Sequence, residues 1–213
     1  MKRLFVICLV LLSATLFLQQ TRAQQTAANP INIGLRSGVN FGNVSVTPDF
    51  PAPFSKGSRT AAVGGGILEF GVAPDVFIAA ELLYVQGGFK VTAPSGEATA
   101  KFDFISVPLS AKYKIMIENS NVKPFFFGGG NVGFTTKAEI ESAGQTQDVK
   151  DSIESVDFGL HFGAGIEVEV SPGLNILLDG RYAVGLKDID KSSSGELKVQ
   201  NFMIMAGVSF KVN

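Results

Sequence analysis

The sequence predicts an all-β protein: an eight-stranded antiparallel up-and-down transmembrane β-barrel behind a cleaved signal peptide. Three observations carry that prediction. Apolar residues recur at every second position in eight segments, which is the period of a strand and not of a helix. The connections between those segments differ in length in a regular way, short at one end and long at the other. The positions between the apolar ones hold glycine and ionisable groups of both signs.

The chain starts with a different pattern. Lys2 and Arg3 precede an apolar run from Leu4 to Leu18, followed by Thr21-Arg22-Ala23, so residues 1–23 read as a secretory signal peptide cleaved after Ala23. The run is too short, and too often broken by Ser and Thr, for a membrane span. Residues 24–30 form a short periplasmic lead, and 31–213 the barrel domain. At 213 residues there is room for one sizeable domain and little for a second. Cys8, the one cysteine, falls in the discarded segment and lacks the small-residue context of a lipid-modified cysteine. The mature chain is therefore expected to have neither thiol nor disulfide. Cleavage leaves 15 basic against 19 acidic residues, which excludes the basic footprint of a nucleic-acid binder. Past residue 23 no apolar stretch approaches the roughly 18 residues of a transmembrane helix.

The eight segments follow in order. About 31 to 42, Ile31, Ile33, Leu35, Val39 and Phe41 alternate with Asn32, Gly34, Arg36, Gly38 and Asn40. About 62 to 72, Gly64, Gly66, Leu68, Phe70 and Val72 alternate with Gly65, Ile67 and Glu69. About 77 to 92, Ile78, Ala80, Leu82 and Tyr84 alternate with Ala79, Glu81 and Leu83. About 100 to 116, Ile105, Val107, Leu109, Ala111, Tyr113 and Ile115 alternate with Ser106, Pro108, Ser110, Lys112 and Lys114. The fifth, about 123 to 135, is the run PFFFGGGNVGF, whose phase the alternation leaves open. In the sixth, 158 to 170, Phe158, Leu160, Phe162, Ala164, Ile166 and Val168 face one way, and His161, Glu167, Glu169 and three glycines the other. About 175 to 186, Ile176, Leu178, Tyr182 and Val184 oppose Asp179, Arg181 and Gly185. The last, about 199 to 212, sets Phe202, Ile204, Ala206, Val208 and Phe210 against Met203, Met205, Gly207 and Ser209.

Short turns are expected at 73–76, around 118–121 and at 171–173. Long polar loops are expected at 43–61, 136–155 and 187–198, with an intermediate one around 94–97. An even number of antiparallel strands with trim turns at one end and loops at the other is the plan of an outer-membrane barrel.

Alternation alone does not say which face meets water, because a soluble calyx alternates with its apolar set inward. Here the second face is glycine-rich, which suits a narrow interior. It also carries Arg36, Lys112 and Arg181 against Glu69, Glu81, Asp157, Glu167 and Asp179, a set able to pair across a lumen as enclosed charges must. Strands in hydrocarbon must close into a barrel to satisfy their backbone, and eight strands leave an interior that side chains fill. The oily face is thus expected to meet lipid, with those eight ionisable residues as a lumenal network.

Other motifs carry less. Gly128, Gly130 and Gly133 match G-x-G-x-x-G, but the FTTKAEIE that follows is strand-like and not the helix a dinucleotide site needs. His161, the single histidine, is expected to bond a lumenal carboxylate; a metal site wants several ligands and a hydrolase a partnered nucleophile. Asp188-Ile189-Asp190 starts like a calcium loop yet lacks its glycine and closing Glu, and is expected to be a solvated loop. Neither cofactor nor metal is predicted. Phe50 and Phe54, in PDFPAPF (48–54), form a candidate contact pair.

NIGLRSGVNF (32–41), AELLYVQGG (80–88), FISVPLSAKY (104–113), FGLHFGAGIEVEV (158–170), LDGRYAVGL (178–186) and MAGVSFKV (205–212) together resemble the small eight-stranded, porin-like outer-membrane barrels of Gram-negative envelopes. The resemblance spans nearly the whole mature chain. It implies an outer-membrane monomer surrounded by lipid and inserted by the barrel assembly machinery. Its role would be structural or in surface contact through its loops, with an unknown extracellular ligand; a narrow channel for small solutes is the alternative, and an enzyme is not expected. Such barrels usually end on an aromatic residue, whereas this chain ends Val212-Asn213 with Phe210 its nearest ring.

Overall fold

The computed structural model describes residues 29–47, 52–94, 96–191 and 196–212. The signal peptide, most of the lead, Cys8, Pro48, Phe50 and Asn213 lie outside them. Among the described residues nine strands run in chain order: β1 Ile31–Thr47, β2 Ser55–Gly71, β3 Val76–Ala93, β4 Gly96–Lys114, β5 Val122–Ser142, β6 Gln145–Asp148, β7 Val156–Ser171, β8 Leu174–Gly185 and β9 Glu196–Lys211. Eight of them close a ring in which each pairs antiparallel with its neighbours and β9 returns to β1. The short β6 folds back only on the end of β5.

Both described ends of the chain and the three trim connections share one end of the ring. Asn32 pairs with Lys211 and Ile31 with Phe70, and Gly71 N–H donates to Pro30 O at 2.9 Å. The other end differs from the loops the polar stretches suggest. Residues 43–47 and 55–60 are strand, β3 and β4 run on to Ala93 and Gly96, and β5 continues to Ser142. These stretches lack apolar alternation because they stand beyond hydrocarbon, yet backbone pairing persists there.

The faces are sorted as lipid demands. Leu35 keeps 69% of its surface exposed on the outside of β1, while Glu69, pointing inward from β2, keeps 0%. Most outward rings gather in two belts, with the Phe162–Tyr182 pair between them. Phe70, Tyr113, Phe126 and Phe210 lie toward the turns; Phe41, Tyr84, Phe134, Phe158 and Phe202 lie toward the loops. Phe41 and Phe202 stack across β1 and β9 with centroids 6.2 Å apart, and Tyr113 meets Phe126 at 5.2 Å. Ile31 and Phe41 are ten residues apart on β1, about 33 Å of strand, which a 40° tilt reduces to about 25 Å, the height of an apolar band. The fifth strand's phase is settled here: Phe126 looks out, while Phe125 and Phe127 look in.

Candidate functional site: the barrel interior

The inner face of the strands assembles three layers. Nearest the turns, Glu69 on β2 meets Lys112 on β4 in a direct ion pair and Lys114, also on β4, at 2.9 Å. Lys114 reaches Glu167 on β7 at 2.6 Å, and Asn32 Nδ2 donates to Glu69 at 3.3 Å. The two ammonium groups also sit over rings, Lys112 over Phe125 and Lys114 over Phe77, each 4.1 Å from the centroid. Two cations and two anions are held with no bulk water to screen them, so every charge has a partner.

Higher up is a square of two arginines and two acids. Arg36 on β1 and Arg181 on β8 both reach Glu81 on β3, at 3.1 and 2.8 Å. Asp179 on β8 contacts Arg36 directly and lies 3.6 Å from Arg181 Nε. The Arg181 guanidinium lies 4.9 Å from the Phe127 ring centroid. An enclosed pair repays its desolvation only with good geometry and further contacts, which the facing rings supply.

Of the eight ionisable residues singled out in the sequence, seven therefore fall into two separate neutral groups instead of one network. Asp157 joins neither; its Oδ1 has no hydrogen-bond partner, since it stands on β7 above the square, out of reach of both. Lys114, left out of the predicted set, is 1% exposed and bridges Glu69 to Glu167. Its place two residues after Lys112, on the same strand face, was the available signal. His161 departs from expectation as well. Both its ring nitrogens are buried without a hydrogen-bond partner, and the ring packs 6.0 Å from Phe127. Ser106 and Asp157 line the same small cavity as His161, but a nucleophile relay needs direct Ser–His and His–Asp hydrogen bonds, and His161 makes neither. Among the described residues no three His, Cys, Asp or Glu side chains stand together as metal ligands.

The third layer is apolar. Val63, Leu83, Val85, Met203 and Met205 fill the middle, and Val44, Phe89, Phe102, Phe104, Ala138, Ile153, Ile189 and Val199 close the loop end. The Asp188–Asp190 loop is not simply solvated. Asp188 Oδ1 accepts from the N–H groups of Asp190 and Leu197 at 3.0 and 2.8 Å, which holds its carboxyl below the usual carboxylate range. That tether turns Ile189 inward until it is fully buried. The loop is then tied to the segment before β7, with Glu154 N–H donating to Ile189 O at 2.8 Å and Lys191 N–H to Ser152 O at 3.1 Å. The two segments form a lid over the barrel mouth.

A family model described as an outer membrane protein beta-barrel domain matches residues 19–191. The chain belongs to that family. It is an integral β-barrel of the Gram-negative outer membrane. The match stops short of β9, the strand that closes the ring. Among solved structures, Neisserial surface protein A is similar over 84% of this chain and 96% of its own, at 19% identity and a TM-score of 0.52. OprG from Pseudomonas aeruginosa is similar over 87% of this chain and 98% of its own, at 13% identity and a TM-score of 0.55. At such identities the likeness is one of fold. No curated protein matches the chain by sequence.

Proposed function

We propose that this barrel is plugged and that its role is structural and interactive: a rigid wall holds its loops outside the membrane for contact, and no solute passes through. The observation that carries this reading is the filling of the lumen at three successive levels, two ionic and one apolar. The two groups built on Glu69 and Glu81 serve as interior glue, each tying together strands from different sides of the ring. Contact sites concentrate on loops held by a stiff scaffold, and Phe54, exposed beside β2, is a candidate among them. The chain acts as a monomer and not as an enzyme. It reaches the membrane through a signal peptide ending at Ala23 and is inserted by the barrel assembly machinery.

Planar-bilayer recording tests the plug. The wild-type barrel is expected to give no steady current. A steady conductance that shifts in Glu69→Gln and Arg181→Gln would overturn this reading in favour of the narrow channel.

A further inference from the structure

Between the arginine square and the apolar cap lies a chamber of about 40 Å³, walled in part by Leu83, Val85 and Met203, into which several polar atoms without partners face. Asp157, His161 and Arg181 are each more than nine-tenths buried. Asp157 Oδ1, both imidazole nitrogens of His161, Arg181 Nε and Asn131 Oδ1 all lack a hydrogen-bond partner, and all four residues line this one chamber. Glycines make the room. Asp157, Gly159 and His161 succeed one another on the inner face of β7, and a Cβ on Gly159 would stand 2.6 Å from Asn131 Oδ1. A Cβ on Gly185 would stand 2.7 Å from Asp157 Oδ2. The amide and the carboxylate thus lie in spaces that any other residue would occupy.

The mixture of groups selects the occupant. One imidazole nitrogen must donate, and Arg181 Nε has no acceptor nearer than Asp179 Oδ1 at 3.6 Å; Asp157 Oδ1, Asn131 Oδ1 and the other imidazole nitrogen must accept. A bare cation would serve the acceptors and leave the donors stranded, whereas water does both. Each internal water needs about 10–15 Å³ and two to four polar partners, so the chamber has room for about three. We propose that this chamber is a built hydration site, in which a short chain of long-lived waters links Asp157, Asn131 and His161 to Arg181 at the top of the ionic square. The barrel is then layered: ionic, wet and apolar in turn. Asp157, whose carboxylate takes the backbone N–H groups of Phe158 and Lys187, is solvated at its free Oδ1 from inside the protein.

Proton NMR of the full chain folded in deuterated detergent micelles tests this. Water is expected to give cross-peaks to the carbon-bound ring protons of His161, with the opposite NOE and ROE signs of waters that outlast molecular tumbling. Ser106→Ala is expected to keep them; their disappearance there would trace them to hydroxyl exchange and overturn the proposal. Asn131→Leu, which fills the chamber with an apolar group of similar size, is expected to remove more than half of the intensity. Should that variant not fold, Asp157→Asn keeps the shape and one acceptor oxygen, leaves water a polar partner in its new NH2 group, and is expected to retain the peaks; their loss there would count against the site. A well-folded wild type with no water contact at His161 would end it outright.

Discussion

The turn half and the loop half of this barrel are built from the same strands under opposite rules. On β1, Asn32, Arg36 and Asn40 point inward while Ile33, Leu35 and Val39 point out; a few residues later Val44 points inward with Asn43 and Ser45 opposite. On β4, Lys112 and Lys114 point inward beneath, while Ala100 and Phe102 point inward above, with Lys101 turned away. The same reversal occurs on β9, from inward Ser209 to inward Val199. The level of reversal is that of the upper aromatic belt, where hydrocarbon ends. Below it the outside is oil, and the enclosed ion groups all sit there, seated among inward rings and under the Leu83–Met205 cluster; above it the outside is water, and the ordinary arrangement of an apolar core returns.

That difference can be broken in order of size. Glu81→Ala removes the shared partner of Arg36 and Arg181 and leaves two enclosed cations; a loss of about 3–5 kcal/mol is expected in urea unfolding from lipid vesicles. In the loop half, Phe102→Ala opens the apolar cap at a cost of about 3 kcal/mol, read in the same titration. The outside gives the sharpest contrast. Leu82→Arg, facing lipid, is expected to lose about 2–4 kcal/mol. Thr99→Arg, higher on the wall and away from the cap, should change stability by no more than about 0.5 kcal/mol. Equal losses at the two positions would mean the reversal level is misplaced. The smallest effect is on the lid. Because the carboxyl of Asp188 is held below its ordinary value by the N–H groups of Asp190 and Leu197, its contribution is complete above the unfolded carboxylate pKa of about 4 and fades as pH falls through the lowered folded value. Amide exchange at Leu197 should therefore quicken at acid pH relative to the rest of β9, and Asp188→Ala should give that faster exchange already at neutral pH.

What the amino-acid pattern revealed follows the same boundary. Where aliphatic residues meet hydrocarbon the alternation is clean, and the phases of β1, β2, β4, β7, β8 and β9 could be taken from it, that of β3 less firmly because Ala79, Leu83 and Val85 are apolar on its inner face too. The fifth strand resisted because phenylalanine serves both faces: Phe126 is solvent to lipid, while Phe125 and Phe127 are seats for Lys112 and Arg181. The stretches past the membrane looked like loops because polar side chains on the water side say nothing about whether the backbone is paired. Charge type placed Arg36, Glu81, Asp179 and Arg181 on the inner face, but partition into two groups depends on the stagger between strands, which no single strand encodes. Asp157 was grouped with them for the same reason. Ile189 gave no sign of burial, standing between two aspartates whose carboxylates fasten backbone rather than meet ions.

The strands that continue past the upper aromatic belt act as stiff posts. A surface carried on posts keeps a fixed height and bearing above the outer leaflet, so a binding partner there has little chain freedom to quench on docking. Recognition by this protein would then resemble a preset die more than a snare, and grafting its loop tips onto a slack tether should weaken capture even with every contacting side chain preserved.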